Sequence, residues 1–316
     1  MSAAPGHPVH VVIPTHTTRH LAACLASMAW QRVPPASVIL TTDTDAPDIA
    51  RLVDDWWPRI AAAIRDRTGR ACPLRHVARP HQGEARLNQV RNNGLRVLLS
   101  GVREGWASPE DLVVILDGDT LLDPDAVAGH AALAASGRDL IIPFRVMLTE
   151  QQTHAWTAES ALSGQPEPAW LTPGVRNALR QRQRRYTRQL WLKRFGLTKP
   201  HKPKVLGGHH AVRLRALLAV NGYDELYTGY GFDDDDLCRR LFARAGQPAA
   251  VAPSRVAIAC TSLLAYHLWH PTRAAPRIED TSGFARFSRT DLPIRCERGI
   301  DNPLAQPEPS LRFIPG

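Results

Sequence analysis

The run Leu112-Val113-Val114-Ile115-Leu116 leads directly into Asp117-Gly118-Asp119. Five apolar residues without a polar break are too few for a buried helix. They predict a strand covered on both faces, as in a parallel sheet between helical layers. Such sheets hold ligands beyond the carboxyl ends of their strands. Two carboxylates one residue apart can converge there on one hard cation, or divide between a cation and a ribose. Gly118 leaves room for close approach to the backbone. The plain alternative is a polar turn before a helix that starts at Asp123-Pro124. The remainder of the chain decides between the two.

Strand and helix patterns alternate around this run. Val9–Ile13 predicts a first strand closed by Pro14. A helix capped by Thr17 or Thr18 follows, with Leu21, Leu25 and Met28 on one face. Ser37–Leu40 predicts a second strand that ends in Thr41-Thr42-Asp43-Thr44-Asp45. Asp48–Ile64 reads as a helix that Pro58 kinks or divides. A short strand is expected at Leu74–Ala78 and a strong helix at Glu84–Leu99, with Leu87, Val90, Gly94 and Leu98 in one stripe. Leu140–Phe144 predicts another strand. The alternation implies an α/β fold with a mostly parallel sheet. From Thr149 to Lys204 the texture predicts helices and loops that cover the site. Further expectations are a helix near Arg213–Val220, one through Leu237 and Leu241, and strands at Ala249–Ala252 and Val256–Ala265. Residues from Pro271 to Gly316 read as a Pro- and Arg-rich tail.

The chain has 316 residues and a net charge of +9, which suggests anionic partners. The charge is concentrated between Arg176 and Lys204, readable as a nucleic-acid or membrane-surface contact or as a solvated helix face. The cysteines, Cys24, Cys72, Cys238, Cys260 and Cys296, form no C-x-x-C pair. They predict reduced thiols in a cytoplasm rather than disulfides or structural zinc. No stretch of about twenty residues is apolar enough to span a bilayer. The first residues lack the charged start and apolar core of an export signal, so a cytoplasmic protein is expected, with peripheral contact at an inner membrane surface.

A second acidic feature is the run Asp233-Asp234-Asp235-Asp236, which opens a predicted helix. Negative charge suits a helix N-terminus, so some of these residues could merely cap it. Four exceed that need. Mutual repulsion raises the pKa of at least one, which suits it to take a proton near neutral pH. Gly229-Tyr230-Gly231 before the run offers a turn with an aromatic plate for a sugar ring.

These segments fall in a familiar order. Gly207-Gly208, Ala211-Val212-Arg213, Val220-Asn221-Gly222-Tyr223-Asp224-Glu225, Gly229-Tyr230-Gly231-Phe232-Asp233-Asp234-Asp235-Asp236-Leu237 and Arg240-Leu241 resemble the C-terminal signature of galactosyl- and N-acetylgalactosaminyltransferases. Tyr266-His267 stands where that group places a metal-binding histidine. Val11-Val12-Ile13-Pro14-Thr15, the aspartate after the second strand, Arg91-Asn92-x-Gly94 and the D-x-D are similar to glycosyltransferase family 2. The resemblance covers about residues 9 to 270 and is nearest to chondroitin-polymerase-type transferase domains. It implies a GT-A, Rossmann-like fold. Residues 1–125 would be the nucleotide-sugar half, residues 126–270 the acceptor-binding and catalytic half, and residues 271–316 the tail.

The resemblance also implies roles. Pro14, Thr15 and Arg19 would line the nucleotide pocket, Asp43 or Asp45 would bond the base, and Arg86 would face the base or the diphosphate. Asp117 would touch the ribose or the metal. Asp119 and His267 would hold Mn²⁺ or Mg²⁺, with His270 and the pair His209-His210 as competing ligands. Gly207 and Gly208 would admit the sugar of a UDP-sugar donor. Asp233 and Tyr230 would bind the acceptor, a glycan or other hydroxyl compound, and Asp234 would be the general base. Tyr230 stands for the family's Trp and Asp233 for its Glu, both on the acceptor side. Two other readings compete. A sugar-phosphate nucleotidyltransferase would want a glycine-rich, basic loop after the first strand, which Val12–His20 lacks. A non-catalytic nucleic-acid or membrane-surface module would leave both acidic clusters without a purpose.

Overall fold

The computed structural model describes residues 7–44, 46–84, 86–163, 170–229, 231–242, 250–271 and 277–316. In chain order the elements begin β1 (Val9–Thr15), α1 (Leu21–Trp30), β2 (Ser37–Asp43), α2 (Asp48–Thr68), β3 (Leu74–Arg79), α3 (Leu87–Glu104), β4 (Leu112–Leu116), β5 (Thr120–Leu122) and α4 (Ala126–Ala135). They continue with β6 (Leu140–Ile142), β7 (Phe144–Met147), α5 (Glu150–His154), α6 (Ala158–Leu162), α7 (Pro173–Lys193), β8 (His209–Arg213) and α8 (Leu214–Ala219). The last are α9 (Asp233–Phe242), β9 (Val256–Ile258), β10 (Leu264–His267), α10 (Ser282–Phe287) and β11 (Ser310–Ile314).

The main sheet runs β11-β3-β2-β1-β4-β8-β6-β9, and a smaller one runs β5-β10-β7. Strands β3, β2, β1 and β4 are mutually parallel, while β8 lies antiparallel between β4 and β6. Every residue of β1, β2 and β4 is buried, as a sheet with two covered faces requires. Val9, Val11 and Ile13 pack toward α1 and α2. Val12, Ile39, Val113 and Ile115 pack on the other face with α3 and α8. Gly94 sets the distance of α3 from the sheet. A Cβ there would lie 2.7 Å from Val12 Cγ1 and 3.0 Å from Thr41 Cγ2.

Several boundaries depart from the sequence expectation. Helix α2 runs through Pro58 unbroken to Thr68. Pro58 is exposed while Trp57, Ile60 and Ile64 are buried, so the carbonyl that loses its partner faces water. Helix α1 starts at Leu21 behind a left-handed His20, without a threonine side-chain cap. The expected strand at Leu140–Phe144 divides at Pro143 into β6 and β7, which belong to different sheets. Val256–Ala265 divides in the same way into β9 and β10, and no strand forms over residues 250–252. Strand β8 was not anticipated, because His209 and His210 interrupt its apolar pattern. The region expected as a tail joins the fold: β11 pairs antiparallel with β3, and Cys296 and Ile300 are buried. All five cysteines are buried and unpaired. No helix of the described residues is long and apolar enough to cross a membrane.

One buried ion pair fastens α9 to the loop before it. Asp236 accepts from Arg240 at 2.6 Å and from Arg239 at 2.7 Å. Arg240 also donates to the carbonyls of Val220 and Gly222. Burial alone would raise the Asp236 pKa, but the two arginines hold it below the usual carboxylate range. The pair's stabilisation is therefore complete above that range and fades only in acid. Asp236→Ala should destabilise the protein by about 3–5 kcal/mol, because it strands a buried guanidinium. Urea denaturation at neutral pH measures this, and an unchanged midpoint would show that the pair does not hold α9.

Candidate active site

The ends of β1, β2 and β4 open onto one cavity of about 540 Å³, a size suited to a small-molecule ligand. Pro14, Thr15, Asp43, Arg86, Asp117 and Asp119 line it. His81, which the sequence did not single out, also lines it and bonds Asp43 at 3.0 Å. Arg79 lies 3.4 Å from the same Asp43 oxygen, so the Asp43 carboxylate is fixed in place. Arg19 is exposed and lies outside this lining. Asp45 and Tyr230 lie outside the described residues.

At one side of the cavity the smaller sheet builds a donor cluster. His267 pairs with Thr120 in the β5–β10 register, and Leu268 N–H donates to the Asp119 carbonyl. The second carboxylate of the D-x-D is thereby set beside the histidine. The ligating atoms of Asp119, His267 and His270 lie within 4.8 Å of one another. His267 Nε2 is 3.4 Å and His270 Nε2 is 3.2 Å from the same Asp119 oxygen. Trp269, between the histidines, is pinned by His20 through its carbonyl and by Thr153 through its N–H. Among the described residues, His267 Nδ1 is buried without a hydrogen-bond partner. Burial would raise the Asp119 pKa, but the hydrogen bond and charge of His267, with Arg145 and His270, bring it down to about 2. One ionised carboxylate and two imidazoles suit Mn²⁺ better than Mg²⁺, which prefers all-oxygen sets. His209 and His210 do not join the cluster. His209 bonds His130 at 3.0 Å, and His210 bonds the Tyr223 hydroxyl at 2.8 Å.

The opposite side is organised by Arg91, which had entered only as part of a sequence motif. Its buried guanidinium reaches Asp233 at 2.8 Å, Asp234 at 3.3 Å and Asp117 at 4.0 Å, and it lies over the Tyr223 ring. Burial alone would lower the Arg91 pKa, and the surrounding carboxylates raise it above the ordinary value. Arg145, also unforeseen, pairs with Asp117 at 3.2 Å. The Asp117 pKa is raised by burial and by Asp119, against the pull of Arg91 and Arg145. Burial and the neighbouring Asp233 push Asp234 up to about 7. The remaining members of the acidic run have separate partners, Lys204 for Asp235 and the arginine pair for Asp236.

Gly207 and Gly208 owe their identity to this charge cluster. Asp117 N–H donates to the Gly208 carbonyl, and β8 follows alongside β4. A Cβ on Gly207 would lie 2.5 Å from Arg91 Nη2 and 2.6 Å from Asp234 Oδ2. A Cβ on Gly208 would overlap Arg145 and approach Asp117 Oδ2 to 2.8 Å. The site thus carries two neighbouring centres, a metal-competent cluster on the cavity wall and an aspartate poised to titrate near neutrality.

A family model described as the N-terminal domain of galactosyltransferase matches residues 194–258. No curated protein matches the chain by sequence. Among solved structures, GalNAc-T7 with UDP, GalNAc and Mn²⁺ is 13% identical, with a TM-score of 0.51 over 89% of this chain and 48% of that one. TarS of S. aureus in complex with UDP-GlcNAc is also 13% identical, with a TM-score of 0.49 over 87% of this chain and 61% of that one. The mannosyltransferase PcManGT from Pyrobaculum calidifontis, in complex with GDP-Man and Mn²⁺, is 16% identical. Its TM-score is 0.45 over 81% of this chain and 59% of that one. The chain spans less than two thirds of each of these structures. It has the GT-A fold of glycosyltransferases, and its galactosyltransferase-type segment contains the paired glycines and the whole acidic run.

Proposed function

We propose that the chain is an inverting, metal-dependent glycosyltransferase. It moves a hexose of the galactose, N-acetylgalactosamine or N-acetylglucosamine type from a UDP-sugar to a hydroxyl acceptor. The observation that carries this reading is the link through Arg91 between Asp117, on the cavity wall, and Asp234, whose pKa is pushed up to about 7. A carboxylate of that pKa can take a proton at physiological pH, and Arg91 ties it to Asp117, which lines the cavity. The likeness to GalNAc-T7, which was crystallised with UDP, GalNAc and Mn²⁺, is in keeping with the same donor class.

The nucleotide occupies the cavity between Pro14-Thr15 and Arg86, with Asp43 at its base end and Asp117 toward the ribose. Asp119, His267 and His270 would hold a divalent cation, Mn²⁺ or Mg²⁺, which would supply positive charge to stabilise a leaving diphosphate. Arg145 adds positive charge beside Asp117. Gly207 and Gly208 let the carboxylates and the arginines pack directly against the backbone beside the donor sugar. The acceptor, a glycan or other hydroxyl compound, enters past Asp233. Asp234 draws the proton from its hydroxyl as the bond to the anomeric carbon forms. A single base opposite a single leaving group gives one displacement and inversion. Arg91 holds Asp233 and Asp234 at fixed separation, so the base does not have to be reoriented for the step.

Asp234→Asn keeps the shape and removes the proton acceptor. Its kcat should fall by about 10²- to 10⁴-fold, with UDP affinity in Mn²⁺ unchanged by calorimetry. Near-normal turnover would move the base elsewhere. In the unmutated protein kcat/KM should decline about tenfold per pH unit below about 7, as Asp234 becomes protonated. A profile that stays flat well into acid would contradict the assignment. Separately, Asp119→Ala, His267→Ala and His270→Ala should each weaken Mn²⁺ binding at least tenfold, roughly the effect of losing one ligand. Titration calorimetry that shows full affinity in any one of the three would remove that residue from the set.

A further inference from the structure

Outside the site, the feature that stands apart is the exposed face of α7 and the turn that follows it. Between Leu171 and Lys204 there are eleven Lys and Arg and no Asp or Glu, against a net charge of +9 for the whole chain. This segment therefore carries more than the entire surplus, and the rest of the molecule is slightly acidic. Helix α7 buries Leu179 and Tyr186. Gln183 bonds the backbone at Ile258 and Cys260, beside the edge strand β9. Arg180, Arg184 and Arg188, at four-residue spacing, form a row along the solvent side. At 3.6 residues per turn Trp191 and Phe195 continue the same row.

The end of the row is apolar and rigid. Trp191 is 55% exposed, Phe195 61% and Leu197 68%. They form a group of large apolar side chains in water, with the Trp191 and Phe195 rings 5.1 Å apart. Gly196, at φ 71°, turns the chain, and Leu197 N–H returns to the Leu192 carbonyl at 3.1 Å, closing a Schellman-type end. Lys193 Nζ donates to the Pro200 carbonyl at 2.9 Å and lies over the Phe242 ring. The tip is thus held in shape, and its apolar groups are not loose ends that could fold back.

We infer that this face docks the protein onto a bilayer rich in anionic lipid, with the arginine row over the headgroups and Trp191, Phe195 and Leu197 inserted at their level. A polybasic row is attracted to anionic headgroups, and each basic residue near the surface is worth about fivefold in partitioning. Indole rings settle at the membrane–water interface. Interfacial helices join these features, cations on one side and large apolar groups beside them. A duplex nucleic acid would use the arginines but keeps its base faces stacked inside and gives three exposed apolar side chains little to enter, which is why the lipid surface is favoured. The same segment leads through Lys204, bonded to Asp235 at 2.7 Å, into Gly207. The docked face therefore adjoins the acidic run at the start of α9.

The test is co-flotation of the full chain with vesicles of phosphatidylcholine alone or mixed with phosphatidylglycerol, and needs no catalysis. The protein should float with the anionic vesicles and stay behind with the neutral ones. The triple variant W191S/F195S/L197S and the triple variant R180Q/R184Q/R188Q should each lose binding, the latter by about a hundredfold at the scale above. Both change exposed side chains, and an unchanged Tm confirms that the variants are folded. Failure of the unmutated protein to float with anionic vesicles overturns the inference. So does undiminished binding by the apolar variant, above all if duplex DNA then competes the protein off the vesicles, since that behaviour belongs to a polyanion surface.

Discussion

A buried guanidinium holds this site together. Arg91 comes from the second turn of α3, is almost fully buried, and faces three carboxylates from two distant parts of the chain. An arginine placed there without them would be prohibitive, and the carboxylates without it would repel one another. Each side therefore requires the other. The consequence is geometric. The end of β4 and the start of α9 are fastened to one residue, so the acidic run and the D-x-D cannot drift apart. The glycines at 207 and 208 are the steric counterpart, since any side chain there would enter the space that the charges occupy.

The metal-competent cluster arises from a different device. Asp119 and His267 are far apart in sequence, and the register of β5 against β10 makes them neighbours. β7 runs along the other side of β10 and supplies Arg145. A small sheet laid across the end of a large one thus delivers a candidate cation site and the positive charge of Arg145 to the edge of a cavity formed by the parallel strands. The two carboxylates of one D-x-D are divided between environments. Burial and neighbouring charge raise the pKa of Asp117, while the histidines and Arg145 lower that of Asp119.

Much of this was legible in the sequence for physical reasons. Apolar runs bounded by turn residues mark β1, β2 and β4, and the stripe around Gly94 marks α3, because these elements are buried deeply and uniformly. The acidic clusters stood out because their local charge density has no inexpensive structural explanation. What was not legible is what depends on partners distant in sequence. Arg91 and Arg145 look like ordinary surface arginines until the fold supplies their carboxylates. Strand β8 carries two histidines that bond His130, Tyr223 and a backbone carbonyl once the chain is folded. Strand β11 sits in a stretch too rich in proline and arginine to announce itself. It is an edge strand, and its exposed side chains follow no clear alternation.

With Asp234 as the one base opposite one leaving group, the proposed reaction has a fixed stereochemistry. The most direct measurement is proton NMR of the sugar first released when UDP-galactose, UDP-N-acetylgalactosamine or UDP-N-acetylglucosamine is hydrolysed by the protein in Mn²⁺, with water in place of the acceptor. The account predicts that the β-anomer appears first from the α-linked donor, before mutarotation mixes the two. Initial release of the α-anomer would contradict a single displacement driven by Asp234.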